Sequence, residues 1–237
     1  MVKITKNFYN QIDELSKKVI GRKRNFVVIW GMGDHYQSLL SIIQDSGYNI
    51  LCFIDEHKQK SDFDSFIPYF SSFEGLKESG LIAKNKNISA VVALSNKFKD
   101  FRVINYEKLL LYGINPLSLL DSTALIRRDV LIGKGVQIMS NVFVNSKTDI
   151  GDYCIINSSA ILEHHCSLDV GVEVGPGAIL LGRVRIEEFV QIGAGAVVLP
   201  GVTVGAHSLI GAGSIVTKDI PKKCIAVGNP ARITKRI

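Results

Sequence analysis

The stretch Gly171–Pro200, GVEVGPGAILLGRVRIEEFVQIGAGAVVLP, has an aliphatic residue at every sixth position: Val174, Leu180, Ile186, Ile192 and Val198. Followed outward, the period runs back through Leu168, Leu162, Ile156, Ile150, Val144, Ile138 and Ile132 to Ile126, and forward through Val204 and Ile210 to Val216. The residue two places earlier is small or β-branched almost throughout, as at Val136, Thr148, Cys154, Ala160, Cys166, Ala178 and Ala196, and glycine often follows the aliphatic one. An amphipathic helix or a set of ordinary strands cannot hold a six-residue period over so many steps. One buried aliphatic and one turn per hexapeptide build a parallel β-helix, with three repeats to a triangular coil. No insertion interrupts the register, so a smooth prism of about five coils is expected. The same register makes Cys154 and Cys166 packing residues.

Upstream the composition changes near residue 121. Most aromatics lie before it, whereas between 126 and 216 only Phe143, Tyr153 and Phe189 occur. Here Phe26–Trp30 reads as a strand, Gly31-Met-Gly-Asp-His35 as a turn, Tyr36–Asp45 as a helix and Asn49–Ile54 as a second strand closing on Asp55. A third strand over Ile88–Leu94, a helix from about Phe98 to Tyr112 and a strand around Ile114–Leu120 complete an alternation that predicts a parallel sheet of doubly wound type. Asn7–Val19 has Phe8, Ile12, Leu15 and Val19 at helical spacing. Four parts follow: a helical extension (1–25), a Rossmann-like α/β domain (26–120), the β-helix (121–219) and a C-terminal tail (220–237).

Gly31-x-Gly33 after a strand, with Asp55 further on, partly matches a dinucleotide fingerprint, but the third glycine position is Tyr36. A nucleotide-binding fold holding a nucleotide-linked ligand explains these residues better than a redox role does, since no hydride-transfer constellation accompanies the glycines.

The chain has 237 residues, of which 46% are apolar, enough to bury a sizeable core. No stretch nears the roughly 18 consecutive apolar residues of a membrane span, and no export signal opens the chain, so a cytoplasmic protein is expected. Four scattered cysteines without a C-x-x-C pair signal neither a disulfide framework nor a metal site. Of the net charge of +6, residues 1–25 contribute seven basic and two acidic side chains and residues 222–237 five basic and none acidic, which leaves −4 on the body. Basicity confined to the ends argues against a nucleic-acid-binding face.

Within the repeats, titratable side chains break the pattern at Leu162-Glu163-His164-His165-Cys166. Acyl transfer from a thioester needs a base for the proton of the attacking group and a donor for the oxyanion. Histidine suits the first task near neutrality, although a corner histidine of a β-helix is also an ordinary solvated turn residue. Gly182 follows His164 by one coil and should lie over it at about one strand spacing, ~4.8 Å. Its N–H is a candidate oxyanion donor; the other reading is a turn glycine with positive φ.

The repeats, followed by Ile220-Pro221 and Val227-Gly-Asn-Pro-Ala-Arg232, resemble the hexapeptide-repeat acyltransferases. Together with the Gly-x-Gly-x-His turn and Phe-Ile-Asp55, residues 26–237 resemble its bacterial sialic-acid O-acetyltransferase and nucleotide-amino-sugar N-acetyltransferase branch. The resemblance implies a left-handed β-helix, a homotrimer, acetyl-CoA as co-substrate without a metal, and His164 as general base. The residue after that base is usually acidic in the family and here is His165, which leaves Glu163 as another source of a carboxylate. Leu181-Gly-Arg-Val184 matches the segment associated with the acetyl thioester. Ala194 and Ala212 of a neighbouring subunit would line the groove for the pantetheine arm, and Arg232, Lys235 and Arg236 could meet CoA phosphates. The nucleotide-linked sugar would sit at Gly33, Asp34 and His35, with Asp34 in place of a usual glycine, and at Asp55 and Glu56.

The expected activity is N-acetylation of a nucleotide-linked amino sugar in bacterial surface glycan biosynthesis. O-acetylation of a sialic-acid-like sugar and a catalytically silent, nucleotide-sugar-binding scaffold are the alternatives.

Overall fold

The computed structural model describes residues 25–57, 67–85, 87–95 and 99–237; the helix expected over Asn7–Val19 lies outside them. In the N-terminal part, β1 (Phe26–Trp30), β2 (Asn49–Ile54), β3 (Tyr69–Phe70), β4 (Ile88–Val92) and β5 (Asn115–Pro116) form one parallel sheet in the order β3-β2-β1-β4-β5. FVVIW is almost continuously apolar because the sheet is covered on both faces. Helix α1 (Asp34–Asp45) packs Tyr36, Leu39, Ile42 and Ile43 on one face. On the other lie α2 (Phe73–Glu78), α3 (Leu81–Lys84) and α4 (Lys99–Leu110), contributing Phe73, Leu76, Leu81, Tyr106 and Leu109. This is the doubly wound arrangement expected from the alternation.

Sequence periodicity does not pick out β3, α2 and α3, because a two-residue strand and helices of six and four residues have too little of it. The Ser72 side chain, which accepts a bond from Gly75 N at 3.1 Å and caps α2, was the available signal. The strand expected around Ile114–Leu120 is split. Asn115–Pro116 ends the α/β sheet, whereas Leu119–Leu120 (β6) pairs with Gln137–Ile138 (β9), so the first coil starts two residues before 121.

From β6 to Ile215–Val216 (β22) the chain winds through two-residue strands in three parallel sheets, without an insertion. Each strand pairs with the one a coil later, as in Phe143↔Ile161, Asp149↔Ser167 and Ile155↔Glu173, every pair 18 residues apart. The period-six aliphatics are buried from Ile138 to Val216 and form one continuous core with the small residues before them. Cys154 and Cys166 belong to it, and burial pushes their thiols up to about 12 and about 11.

The turn has a period as well. From Gly135 to Gly213 every sixth residue has φ between 54° and 74°, including Asn141, Lys147, Tyr153, Ser159, His165, Arg183, Phe189 and His207. A left-handed residue at each corner is how six residues turn the chain, and side chains there cost roughly 1–2 kcal/mol apiece. The C-terminal tail is a hairpin, Cys224–Gly228 (β23) and Ala231–Arg236 (β24), joined through β23 to Leu209–Ile210 (β21). It covers the end of one sheet, an edge that would otherwise be open.

The α/β part sits on the outer face of the sheet containing β6, β9, β12 (Ile155–Ile156) and β15 (Glu173–Val174). Outward-pointing Leu119, Gln137, Ile155 and Glu173 are buried there. Arg102 of α4, fully buried, donates from Nε to Tyr153 O (3.1 Å), from Nη1 to Leu94 O (2.8 Å) and from Nη2 to Gly171 O (3.0 Å). The same guanidinium lies 3.6 Å from the Glu173 carboxylate. Tyr106 stacks on Tyr153, with ring centroids 4.8 Å apart. Buried polar groups therefore fix how the two parts meet.

Candidate functional site

Leu162 and Cys166 point into the prism and are buried, which leaves Glu163, His164 and His165 on the corner between them. Backbone bonds from His165 N to Ser146 O (3.0 Å) and from Arg183 N to His164 O (2.9 Å) lock this corner between the coils on either side. The His164 imidazole lies directly against Gly182, as the coil length predicts. A β-carbon at 182 would come within 2.6 Å of Cε1 and 2.8 Å of Nε2 of that ring.

Gly182 is not among the positive-φ glycines, so it is a glycine for space under His164 and not for the turn. Its neighbours Leu181 and Arg183 donate their N–H groups to Val198 O and His164 O, whereas the Gly182 N–H has no acceptor among the described residues. A half-buried imidazole beside a free amide is an arrangement that can take a proton and hold an oxyanion together. Gly182→Ala should displace the ring, lowering kcat at least about tenfold with little loss of melting temperature, since each 1.36 kcal/mol of lost stabilisation is tenfold in rate. Steady-state kinetics beside a thermal scan checks this; unchanged kcat would show that ring placement is immaterial.

No hydrogen bond joins Glu163 to His164 among the described residues. Its carboxylate accepts Asn145 Nδ2 at 2.7 Å, and Asn145 lies one coil earlier. The neighbour of His164 is His165, with the two Nδ1 atoms 3.1 Å apart and the rings perpendicular. His165 is exposed, and its proton affinity is lowered by desolvation first, then by Lys147, Arg183 and His164, with Asp129 opposing. Asp129, Lys147, His165 and Arg183 form one corner column at 18-residue spacing, a grouping the coil arithmetic contains but a search for motifs passes over.

Ala194 and Ala212 are exposed on a different corner, at the other edge of the sheet that holds Leu162 and Leu180, so one chain does not bring them to His164. The coils stack tightly there: a β-carbon on Gly193 would be 2.5 Å from Ala212 N. Arg232 is exposed on β24, and its Nη1 donates to Ala231 O at 3.0 Å. Lys235 and Arg236 are exposed on the same strand.

In the α/β part, the turn after β1 lies where a doubly wound sheet opens its ligand crevice. Gly33 caps α1 and Asp34 begins it, both exposed, and the helix N-terminus favours the Asp34 carboxylate. His35 is turned away from the solvent. Gln137 donates its amide to Val92 O (2.9 Å), so its Oε1 is an acceptor, and His35 Nε2–H donates to it at 2.7 Å. Asp55 is likewise committed: its carboxylate accepts Met32 N (2.8 Å) and His57 N (2.9 Å), and its carbonyl accepts the Tyr69 hydroxyl. His35 Nε2 and the Asp55 carboxylate are thus bonded within the fold, while Gly33, Asp34 and Glu56 are exposed around the turn.

Burial holds His35 below its ordinary proton affinity, outweighing Gln137 and the charge of Glu173, which act in the opposite direction. The unfolded chain thus binds a proton there more readily than the folded one, so this contribution to stability is complete above about pH 6.5 and is lost as pH falls below it. Urea midpoints should fall between pH 7.5 and 5, and less steeply in His35→Gln; equal slopes would contradict the assignment.

Residues 183–218 match the bacterial transferase hexapeptide (six repeats) family, and residues 23–68 match the C2185-like N-terminal family. A stretch of 82 residues is 35% identical to the GDP-perosamine N-acetyltransferase of Escherichia coli, spanning 35% of this chain and 37% of that relative's length. A solved variant of GDP-perosamine N-acetyltransferase from Caulobacter crescentus, in complex with CoA and GDP-perosamine, is similar over 92% of this chain and 98% of its own, at 29% identity and a TM-score of 0.79. The acetyltransferase domain of PglB from Neisseria gonorrhoeae, in complex with acetyl coenzyme A, is similar over 89% and 99%, at 27% identity and a TM-score of 0.78.

Proposed function

We propose that this chain, whose residues 183–218 match the bacterial transferase hexapeptide family and whose fold is similar to that of GDP-perosamine N-acetyltransferase, transfers an acetyl group from acetyl-CoA to the amino group of a nucleotide-linked amino sugar. The observation that carries the mechanism is the His164 ring lying on Gly182 with the Gly182 N–H free. His164 Nε2 takes a proton from the amine as its nitrogen attacks the thioester carbon, and the Gly182 N–H receives the negative charge on oxygen. Collapse breaks the carbon–sulfur bond, the imidazolium returns the proton to the departing thiolate, and amide and CoA leave.

Two further features belong to the same reading. The enzyme acts as a homotrimer, as its resemblance to the family implies, and the place of Ala194 and Ala212 at the sheet edge away from His164 is consistent with their serving the site of an adjacent copy. There, Arg232 meets CoA phosphates. It works in the cytoplasm in surface-glycan biosynthesis, the setting in which a nucleotide-activated amino sugar is the substrate. Support for the acceptor comes from the relatives, whose names and complexes contain GDP-perosamine.

A thiol-release assay with acetyl-CoA and a panel of GDP-, UDP- and dTDP-linked amino sugars beside free sialic acid tests this. Release with a nucleotide amino sugar, GDP-perosamine first, is the expected result. Release with sialic acid alone would replace N-acetylation by O-acetylation, and silence across the panel would overturn the acceptor class.

A further inference from the structure

The Nδ1 atoms of His164 and His165, 3.1 Å apart, impose a condition on where protons sit. An imidazole nitrogen either donates or accepts, so one ring carries hydrogen on Nδ1 and the other does not. Chemistry at His164 Nε2, the atom over Gly182, requires the lone pair there. We propose that His165 is a positioning residue that accepts the His164 Nδ1–H on its own Nδ1, keeping the Nε2 lone pair of His164 turned to the acceptor, and that protonation of His165 shuts this arrangement off. The proposal rests on His164 as the base.

Four observations support it. Glu163 is already bonded to Asn145 and leaves the Nδ1 side of His164 to His165. The corner at 165 has φ 59°, and its N–H is bonded to Ser146 O, so the backbone sets the direction of the His165 Cα–Cβ bond. His165 is exposed, so water satisfies its Nε2–H. Finally, desolvation first, and then Lys147 and Arg183, one coil before and one after, and His164, lower the proton affinity of His165 against the opposing charge of Asp129, which favours its neutral form. A protonated His165 would have no lone pair on Nδ1. His164 would then lose its acceptor and would face a new positive charge.

A carboxylate at this place behaves differently. It would orient His164 just as well but would also stabilise its imidazolium, moving the acidic limb of the rate profile to higher pH. The neutral acceptor of this chain orients His164 without adding a negative charge beside it, and a proton on His165 removes the acceptor.

Two variants and two readouts decide the matter. His165→Gly removes the acceptor at a left-handed corner where glycine is the least strained residue, so the fold should persist. His165→Glu supplies a charged acceptor. Long-range nitrogen–proton correlation spectra of histidine-labelled protein should show His164 protonated on Nδ1 at pH 7.5 in the native chain and in His165→Glu, and shifted to Nε2–H in His165→Gly. With an active acceptor, His165→Gly should lower kcat roughly 10- to 100-fold with KM little changed, the size typical of losing a group that orients a working histidine. His165→Glu should restore kcat at pH 8 and move the acidic limb up by about one pH unit or more, with a slope of a single proton. An unchanged His164 tautomer in His165→Gly, or superimposable acid limbs in the native chain and His165→Glu, would overturn the proposal. The spectra need no acceptor, so they separate its failure from failure of the acetyltransferase reading.

Discussion

Replacing His164 with alanine is expected to lower kcat by roughly 10²–10⁴, the contribution of a positioned general base. The fold should not suffer. The backbone of this corner is bonded through His165 N and Arg183 N to its neighbouring coils, and those bonds do not involve the imidazole. His164 is not one of the left-handed corners, so alanine has no strain to meet there. The ring packs on Gly182 at the surface and is absent from the continuous core. KM should change little, because the imidazole is asked to act on the transition state and not to hold either substrate. Single-turnover and steady-state kinetics on protein of native melting temperature check the point. A kcat within a few-fold of the native value would remove His164 from the mechanism and with it the role of Gly182.

The second large effect is on stability. Arg102→Met should cost about 3–5 kcal/mol, because breaking a buried ion pair from one side leaves the other charge in the interior. Here Glu173, nearly buried, loses its cation, and the carbonyls of Leu94, Tyr153 and Gly171 lose their donors together. The part of the loss that comes from the unpaired carboxylate should return when Glu173 is also made apolar, as in Arg102→Met with Glu173→Leu, while the part that comes from the three carbonyls should remain. Urea titration of the native chain, both single variants and the double variant measures the coupling. Strict additivity would mean that the two side chains act independently. Arg102 lies on the α/β part and Glu173 on the prism, so loosening the pair loosens the contact between the two parts.

The prism was legible in the sequence because its rule is local and repeats: one inward aliphatic every six residues. Strands β1 and β2 were legible for a related reason, since strands covered on both faces read as unbroken apolar runs. What the sequence leaves open is which outward residues another part covers. Gln137 and Glu173 occupy outward positions of the repeat and look like solvated polar residues; only the docking of α4 and α1 buries them. For the same reason the sequence does not reveal that His35 Nε2 and the Asp55 carboxylate are hydrogen-bonded inside the fold. At the candidate site, the stacking of Gly182 on His164 followed from coil length, and so could the pairing of Asn145 with Glu163 have done. The side-by-side approach of the two imidazoles could not, because it depends on side-chain torsions at a left-handed corner.

The constant 18-residue offset between strand partners also says how such a chain is assembled. Each new coil closes a loop of the same length as the last, at the same entropic cost, and touches only the coils before and after it. Folding therefore resembles growth along a line: once two adjacent coils have formed, each further coil adds in a step of nearly equal free energy. Growth is bounded by unlike ends, the α/β domain seated on the first coils and the hairpin of β23 and β24 closing the last. His164 and Gly182 sit on successive coils of the interior, so the pair comes together in a single growth step and opens only if one of the most protected rungs comes apart.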